Sequence, residues 1–518
     1  MAKTFFLTTA IDYTNSAPHI GHAYEKILAD VIARYQRLKG NPAFFLTGVD
    51  QHGQKVQQSA AKEGIPPEQF VKGITEKFLE LWKKLEVKYD EWAETTDPRH
   101  KNVVRGILQR LFNEEQIYKN KQSGYYSVRQ EQFLTDKERG PDGEFGREWG
   151  EVEFREEENY YFKLSQHKEW LLGYLKKRSD AVLPAFRQTE LRNAVDKLAG
   201  DLCISRPKSR LDWGIELPFD GNFVTYVWFD ALTNYISFAG YDPNASSLDS
   251  QPLEFREKWP ALQIIGKDIL VPAHGIYWLI MLHAIGFPDG AMPQLLVHGW
   301  WNLGGAKMSK SAGNVVDPVV LIEKYGAEAL RYYLMSDMAT GNDADFSEER
   351  LITRYNADLA NSLGNLLNRT LNMVYRYRDG TVTRKGSESP LAAQSVDLVR
   401  EYERAMDAFE IHDAIARLGE FVTACNTYIE MTAPWKMAKE PERADALDHT
   451  LFALAEALRI VAILVSPILP NASREIFYQL NSPAVTAIAN TRWGGLPEQH
   501  RLGKAAPLFP RIEAERPS

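Results

Sequence analysis

Residues 3–50 read KTFFLTTAIDYTNSAPHIGHAYEKILADVIARYQRLKGNPAFFLTGVD, and this stretch sets the architecture. Lys3 to Ile11 is apolar and β-prone, the composition of a buried strand. Ile27, Leu28, Val31, Ile32, Tyr35 and Leu38 then recur at helical spacing, and Gly40-Asn41-Pro42 ends the helix. Ala43 to Val49 is a second strand. Strand, helix and strand with short connections begin a parallel, doubly wound sheet. Such sheets bind ligands beyond the carboxyl ends of their strands.

Working outward, the pattern changes between Tyr118 and Asp220, where turn residues, aromatics and acids dominate; Glu144 to Glu158 alone holds seven glutamates. This reads as an insertion. Strand-like segments at Phe223–Val227, Leu262–Gly266 and Leu295–His298 are expected to complete the sheet. After Ile322 the chain turns helical, and Leu451, Leu454, Leu458 and Val461 form an amphipathic stripe of a helical bundle. The expected division is 1–117 and 221–321 for the two halves of a catalytic α/β domain, 118–220 for the insertion, 322–355 for a linker, and 356–518 for an all-α domain.

Composition narrows the function. A net charge of −8 argues against a general nucleic-acid binder, though a local basic patch still suffices for RNA. The strongly apolar run Ile460–Pro470 is too short for a membrane helix, and the N-terminus lacks the pattern of a signal peptide. Cys203 and Cys425 are the only cysteines, so neither a disulfide framework nor a Cys-rich metal site is expected. These features point to a cytoplasmic protein.

Two motifs carry chemistry. His19-Ile20-Gly21-His22 sits where a strand gives way to a helix, and helix N-termini favour phosphate through unpaired N–H groups and the dipole. Gly21 lets a nucleotide approach the backbone, and His19 and His22 project to one side. Downstream, Gly304-Gly305-Ala306 leads into Lys307-Met308-Ser309-Lys310-Ser311, a loop with two compact cations suited to clamping and releasing pyrophosphate.

In this order the two motifs resemble the ATP signatures of class I aminoacyl-tRNA synthetases, and further segments resemble the methionyl enzymes over nearly the whole chain. The resemblance implies a Rossmann-like catalytic domain with an inserted connective domain and an all-α anticodon-binding bundle. It implies that His19, His22, Lys307 and Lys310 are catalytic and that, with Gly21, Gly266 and Asp268, they bind ATP. By the same resemblance Ile11, Tyr13, Asp50, Trp228, Ala231, Tyr235, Ile269 and His274 hold methionine, with Asp50 on the α-ammonium. The interval from Asp268 to His274 is one residue longer than in relatives, which leaves the alignment of His274 open. Asp12 stands where the family usually has proline and is not diagnostic. Asn365, Arg369 and Trp435 match the readers of a CAU anticodon.

Related families fit less well. The leucyl, isoleucyl and valyl enzymes carry a larger editing insertion, and the cysteinyl enzyme needs cysteine ligands for zinc. Many methionyl enzymes hold zinc knuckles, yet Ser127 and Gln130 stand where a Cys pair belongs, and hydroxyl and amide groups are poor zinc ligands. A zinc-free insertion is expected, with no metal site in the protein. The expected reaction makes methionyl-adenylate from methionine and ATP with Mg²⁺, then charges tRNA(Met), initiator included. The expected state is a monomer without membrane contact. Two alternatives stand beside this: a tRNA-independent nucleotidyltransferase of the superfamily, and an inactive synthetase-like RNA-binding protein.

Overall fold

The computed structural model describes residues 3–127, 132–134, 136–140, 142–308, 315–386, 389–485 and 487–513. Seven strands, here β1 (Phe5–Thr9), β2 (Asp12–Tyr13), β3 (Ala43–Asp50), β4 (Glu91–Glu94), β5 (Val182–Leu183), β6 (Leu262–Gly266) and β7 (Gln294–His298), form one parallel sheet. Its order is β4-β3-β1-β6-β7-β5, and β2 continues the β1 edge of β3 through Asp12↔Val49 and Tyr13↔Asp50. The order reverses at β1, between β3 and β6. That crevice is where a doubly wound sheet takes its ligand.

Successive strand residues face opposite layers, as period two requires. Leu7, Phe45, Ile264 and Leu296 pack with helix α1 (Ile20–Leu38). Phe6, Leu46, Ile265 and Val297 pack on the other face, against Pro98–Asn113 and helix α2 (Val227–Ser237). Both faces are covered, which explains near-continuous apolar strands.

Two details depart from the sequence reading. Val182–Leu183 lies within the stretch read as inserted, yet pairs with β7 as the sheet's edge. Phe223–Val227 was expected in the parallel sheet, but Asp220–Thr225 pairs antiparallel with Ser205–Pro207 and Glu216–Leu217 in a sheet of its own. A two-residue strand is too short for periodicity to show, and apolar runs do not reveal their partners.

Between residues 117 and 162 two eleven-residue strands, Ile117–Ser127 and Val152–Phe162, run antiparallel in continuous register. Near their tip the Arg139 guanidinium lies 4.8 Å from the Tyr125 ring and 4.3 Å from that of Phe145. Gln130 lies outside the described residues.

The C-terminal unit packs helices α3 (Asn365–Arg378), α4 (Ile411–Thr432) and α5 (Ala444–Val465) with Pro390–Asp407 and Pro470–Gln479. A short ladder, Thr381–Thr383 with Gln499–Arg501, is added to it. Arg331, fully buried, joins the two halves: it donates to Asp30 Oδ2 (2.7 Å) and Leu85 O (3.1 Å) on one side. On the other it donates to Ile468 O (2.9 Å) and Pro467 O (3.1 Å). Among the described residues, no helix is long and apolar enough to cross a membrane.

Candidate active site

A cleft of about 580 Å³ opens at the carboxyl ends of β1, β3, β6 and β7, a size suited to small-molecule sites. Ile11, Tyr13 and Asp50 line it from the first half, with His19, Gly21 and His22 at the start of α1. Trp228, Ala231 and Tyr235 line it from α2, and Gly266, Asp268, Ile269 and His274 from β6 and the turn beyond.

The two histidines form the N-terminal cap of α1. Gly21 N–H donates to His19 Nδ1 (3.1 Å) and His19 N–H donates to His22 Nδ1 (3.0 Å). Each Nδ1 is therefore an acceptor, which leaves the hydrogen of each neutral ring on Nε2. The rings lie 3.8 Å apart at the helix end, where the Ile20 N–H donates to Val316 O (3.2 Å). A Cβ at Gly21 would come within 2.9 Å of His19 Cε1, so glycine protects this arrangement.

At the other end of the cleft His274 is buried. Leu270–Trp278 coils as a wide helix broken at Val271, which has extended dihedrals (φ −117°, ψ 125°). His274 N–H closes back on Ile269 O at 3.0 Å, five residues earlier, the reach of a wide turn. The His274 ring donates from Nδ1 to the same carbonyl (3.0 Å), and Tyr235 O–H donates to Nε2 (2.7 Å). Burial pushes His274 down to about 4 and Tyr235 well above the usual phenol range, so the pair is neutral at physiological pH. Trp228 and Tyr235, two turns apart on α2, share the face that lines the cleft.

Asp50 ends β3, and its Oδ1 accepts from His52 N–H (3.3 Å) and Thr95 Oγ1 (3.4 Å). Behind it the buried Asp230 carboxylate bridges His52 Nδ1 and His100 Nε2, each at 2.7 Å, tying α2 to the Asp50 loop. Burial opposes its ionisation, but the two imidazoles prevail and hold Asp230 at about 2.

Gly266 closes β6, where a Cβ would lie 2.8 Å from Asp268 Oδ1, an oxygen that also accepts from Trp300 Nε1 (3.2 Å). Gly304 and Gly305, both at positive φ (61° and 75°), turn the hairpin that leads to Lys307. Met308 is buried and lines the cleft. The Lys307 side chain and all of Lys310 lie outside the described residues.

Sequence reasoning passed over one feature of the cleft: a row of buried ionisable groups under the first turns of α1. Lys26, fully buried, donates to Ala10 O (2.9 Å), Asp12 Oδ1 (2.8 Å) and Glu25 Oε1 (2.8 Å). The other Glu25 oxygen meets His298 Nε2 at 3.0 Å. The available signal was position: Glu25 and Lys26 stand three and four residues after His22, on a helix whose apolar residues place that side inward.

Far from the cleft, Asn365 is exposed at the start of α3 and Arg369, one turn on, pairs with Glu430 on α4 (2.6 Å). Trp435 follows α4 after Ala433, a left-handed residue at φ 47° that turns the chain, and is half-buried.

The chain resembles known proteins along nearly its whole length. The family model described as tRNA synthetases class I (M) matches residues 5–143 and 148–371, and that of the anticodon binding domain of methionyl tRNA ligase matches 379–517. The chain belongs to the methionyl class I tRNA synthetases. Methionine–tRNA ligase of Caldanaerobacter subterraneus is 39% identical over 100% of this chain and 80% of its own length. That of Deinococcus radiodurans is 40% identical over 99% and 75%. The solved Mycobacterium tuberculosis methionyl-tRNA synthetase in complex with methionyl-adenylate superposes with a TM-score of 0.90 at 36% identity, covering 98% of this chain and 100% of that one. The activity of the family, ligation of methionine to tRNA, is the activity of this chain.

Proposed function

We propose that the cleft makes methionyl-adenylate and passes its methionyl group to the 3′ end of tRNA(Met). The observation that carries this is convergence: residues expected to bind ATP and residues expected to bind methionine line one cleft at the switch point of the sheet. Methionine's carboxylate oxygen attacks the α-phosphorus of ATP, and the bond to the pyrophosphate oxygen breaks. The His19 and His22 Nε2–H groups donate to phosphate oxygens as charge moves toward pyrophosphate, with Lys307 and Lys310 approaching from the downstream loop. Asp50 pairs with the α-ammonium. Trp228, Ala231, Tyr235 and Ile269 enclose the thioether, for which aromatic faces and edges are good neighbours. The terminal adenosine hydroxyl of tRNA then attacks the carbonyl, and AMP leaves.

Mg²⁺ enters with ATP as a counter-ion of the phosphates, a cation that keeps much of its water. The inserted unit holds itself by packing such as Arg139 on its two rings, without zinc. The helical unit from residue 356 reads the CAU anticodon of initiator and elongator tRNA through Asn365, Arg369 and Trp435, and the protein acts as a cytoplasmic monomer. Amino-acid-dependent ATP–pyrophosphate exchange tests the activation step. Exchange with methionine alone supports the pocket, exchange with a different amino acid refutes it, and Lys310→Ala should slow exchange while leaving methionine binding nearly intact.

A further inference from the structure

The row Asp12–Lys26–Glu25–His298 runs under the cleft, and the residues assigned above to binding leave it without a task. Lys26 spends all three of its N–H donors inside it, on Ala10 O, Asp12 Oδ1 and Glu25 Oε1. The Asp12 Oδ1 that accepts from Lys26 also lies 4.0 Å from His22 Nε2. Its second oxygen, Oδ2, is buried with no hydrogen-bond partner among the described residues, and Asp12 lines the cleft. A buried carboxylate with one oxygen unsatisfied costs stability. Lys26 and Glu25 alone would already balance in charge.

We propose that Asp12 is a positioning residue for methionine activation, acting through His22: pinned by Lys26, its carboxylate keeps the His22 proton on Nε2, so that this nitrogen meets the phosphates as a donor. This rests on the reading of His22 given above. The geometry restricts the ring from both sides. The His19 N–H fixes Nδ1, and the anionic oxygen below Nε2 favours the orientation and the proton that make it a donor.

The charged and titratable groups around Asp12 are His22, Glu25 and Lys26 from α1, Asp50 from β3, Tyr235 from α2 with His274 behind it, and His298 through Glu25. Burial, against the pull of Lys26, pushes Asp12 up to about 7. Its carboxylate therefore gains a proton as the pH drops below neutrality, and the anionic support of His22 is withdrawn.

The test is a double-mutant cycle in the full chain, read by methionine-dependent ATP–pyrophosphate exchange between pH 6 and 8.5. D12N keeps an oxygen for Lys26 and leaves Lys26 and Glu25 balanced, so it should fold. Expected are a kcat lowered about tenfold at pH 8, a KM for methionine within about twofold, and loss of the acid limb near pH 7. In an H22A background D12N should add nothing, because the residue it supports is gone. An equal further loss there, or an unchanged kcat and pH profile in D12N alone, overturns the proposal. Full activity of H22A instead overturns the reading of His22 itself. Should D12N melt at low temperature, D12S, smaller and also neutral, is read by the same cycle.

Discussion

Removing one oxygen, Tyr235→Phe, probes how the methionine end of the cleft is held. Tyr235 is 1% exposed and donates to His274 Nε2 at 2.7 Å, while His274 Nδ1–H is already committed to Ile269 O. The variant keeps the ring and its packing on Trp278, 5.7 Å between centroids, so little apolar contact is lost. What remains is a buried acceptor without its donor, a loss of about 1–3 kcal/mol. His274 cannot offset this by protonating, since burial holds it near 4. The ring can instead turn toward the cleft, where water or ligand meets Nε2, so the cost falls on the pre-formed pocket. If about 1–2 kcal/mol of it appears in binding, the KM for methionine in pyrophosphate exchange rises about 5–30-fold. The turnover number should change much less, because His19 and His22, proposed above to meet the phosphates, lie at the other end. Isothermal titration with methionine and the exchange assay measure the two quantities. A KM within twofold of the original would refute the reasoning and make the Tyr235–His274 bond incidental to the pocket.

Three further outcomes follow from the same geometry. Glu456 is fully buried, accepts from the N–H groups of Gly494, Gly495 and Leu496 and pairs with Arg459 at 2.6 Å. Glu456→Ala strands that arginine and should cost about 3–5 kcal/mol, seen as a lower urea midpoint of the helical unit with pyrophosphate exchange unimpaired. His274 has a folded value near 4 against 6.5 for the free side chain, so below 6.5 the unfolded chain binds a proton that the folded one refuses. Its contribution to stability is therefore lost as the pH falls from 6.5 to 4, and urea midpoints in His274→Gln should fall less over that window than in the unaltered protein. Trp435→Ala should raise the KM for tRNA by about 1–3 kcal/mol, or 5–150-fold, in aminoacylation while exchange is spared; equal loss of both would make the indole structural.

The sequence by itself determined the parts of this protein whose physics is local. The periodicity of residues 3–50 is that of a strand, a helix and a strand, because apolar spacing follows the backbone repeat. That His19, Gly21 and His22 open a helix was legible because the change from strand to helical spacing is local. Tertiary structure decided what depends on residues distant in the chain. Two residues, Val182 and Leu183, became the edge of the sheet because β7 was there to receive them. Phe223 joined a different sheet because its partners, Ser205–Pro207, lie on the insertion side. His274 met Tyr235, thirty-nine residues earlier, because a wide turn aims its ring at α2. Asp12 carried no diagnostic weight in the sequence, standing where the family usually has proline. It acquired one when folding set Lys26 2.8 Å away and removed both from water, since the energy of a charge is fixed by what surrounds it.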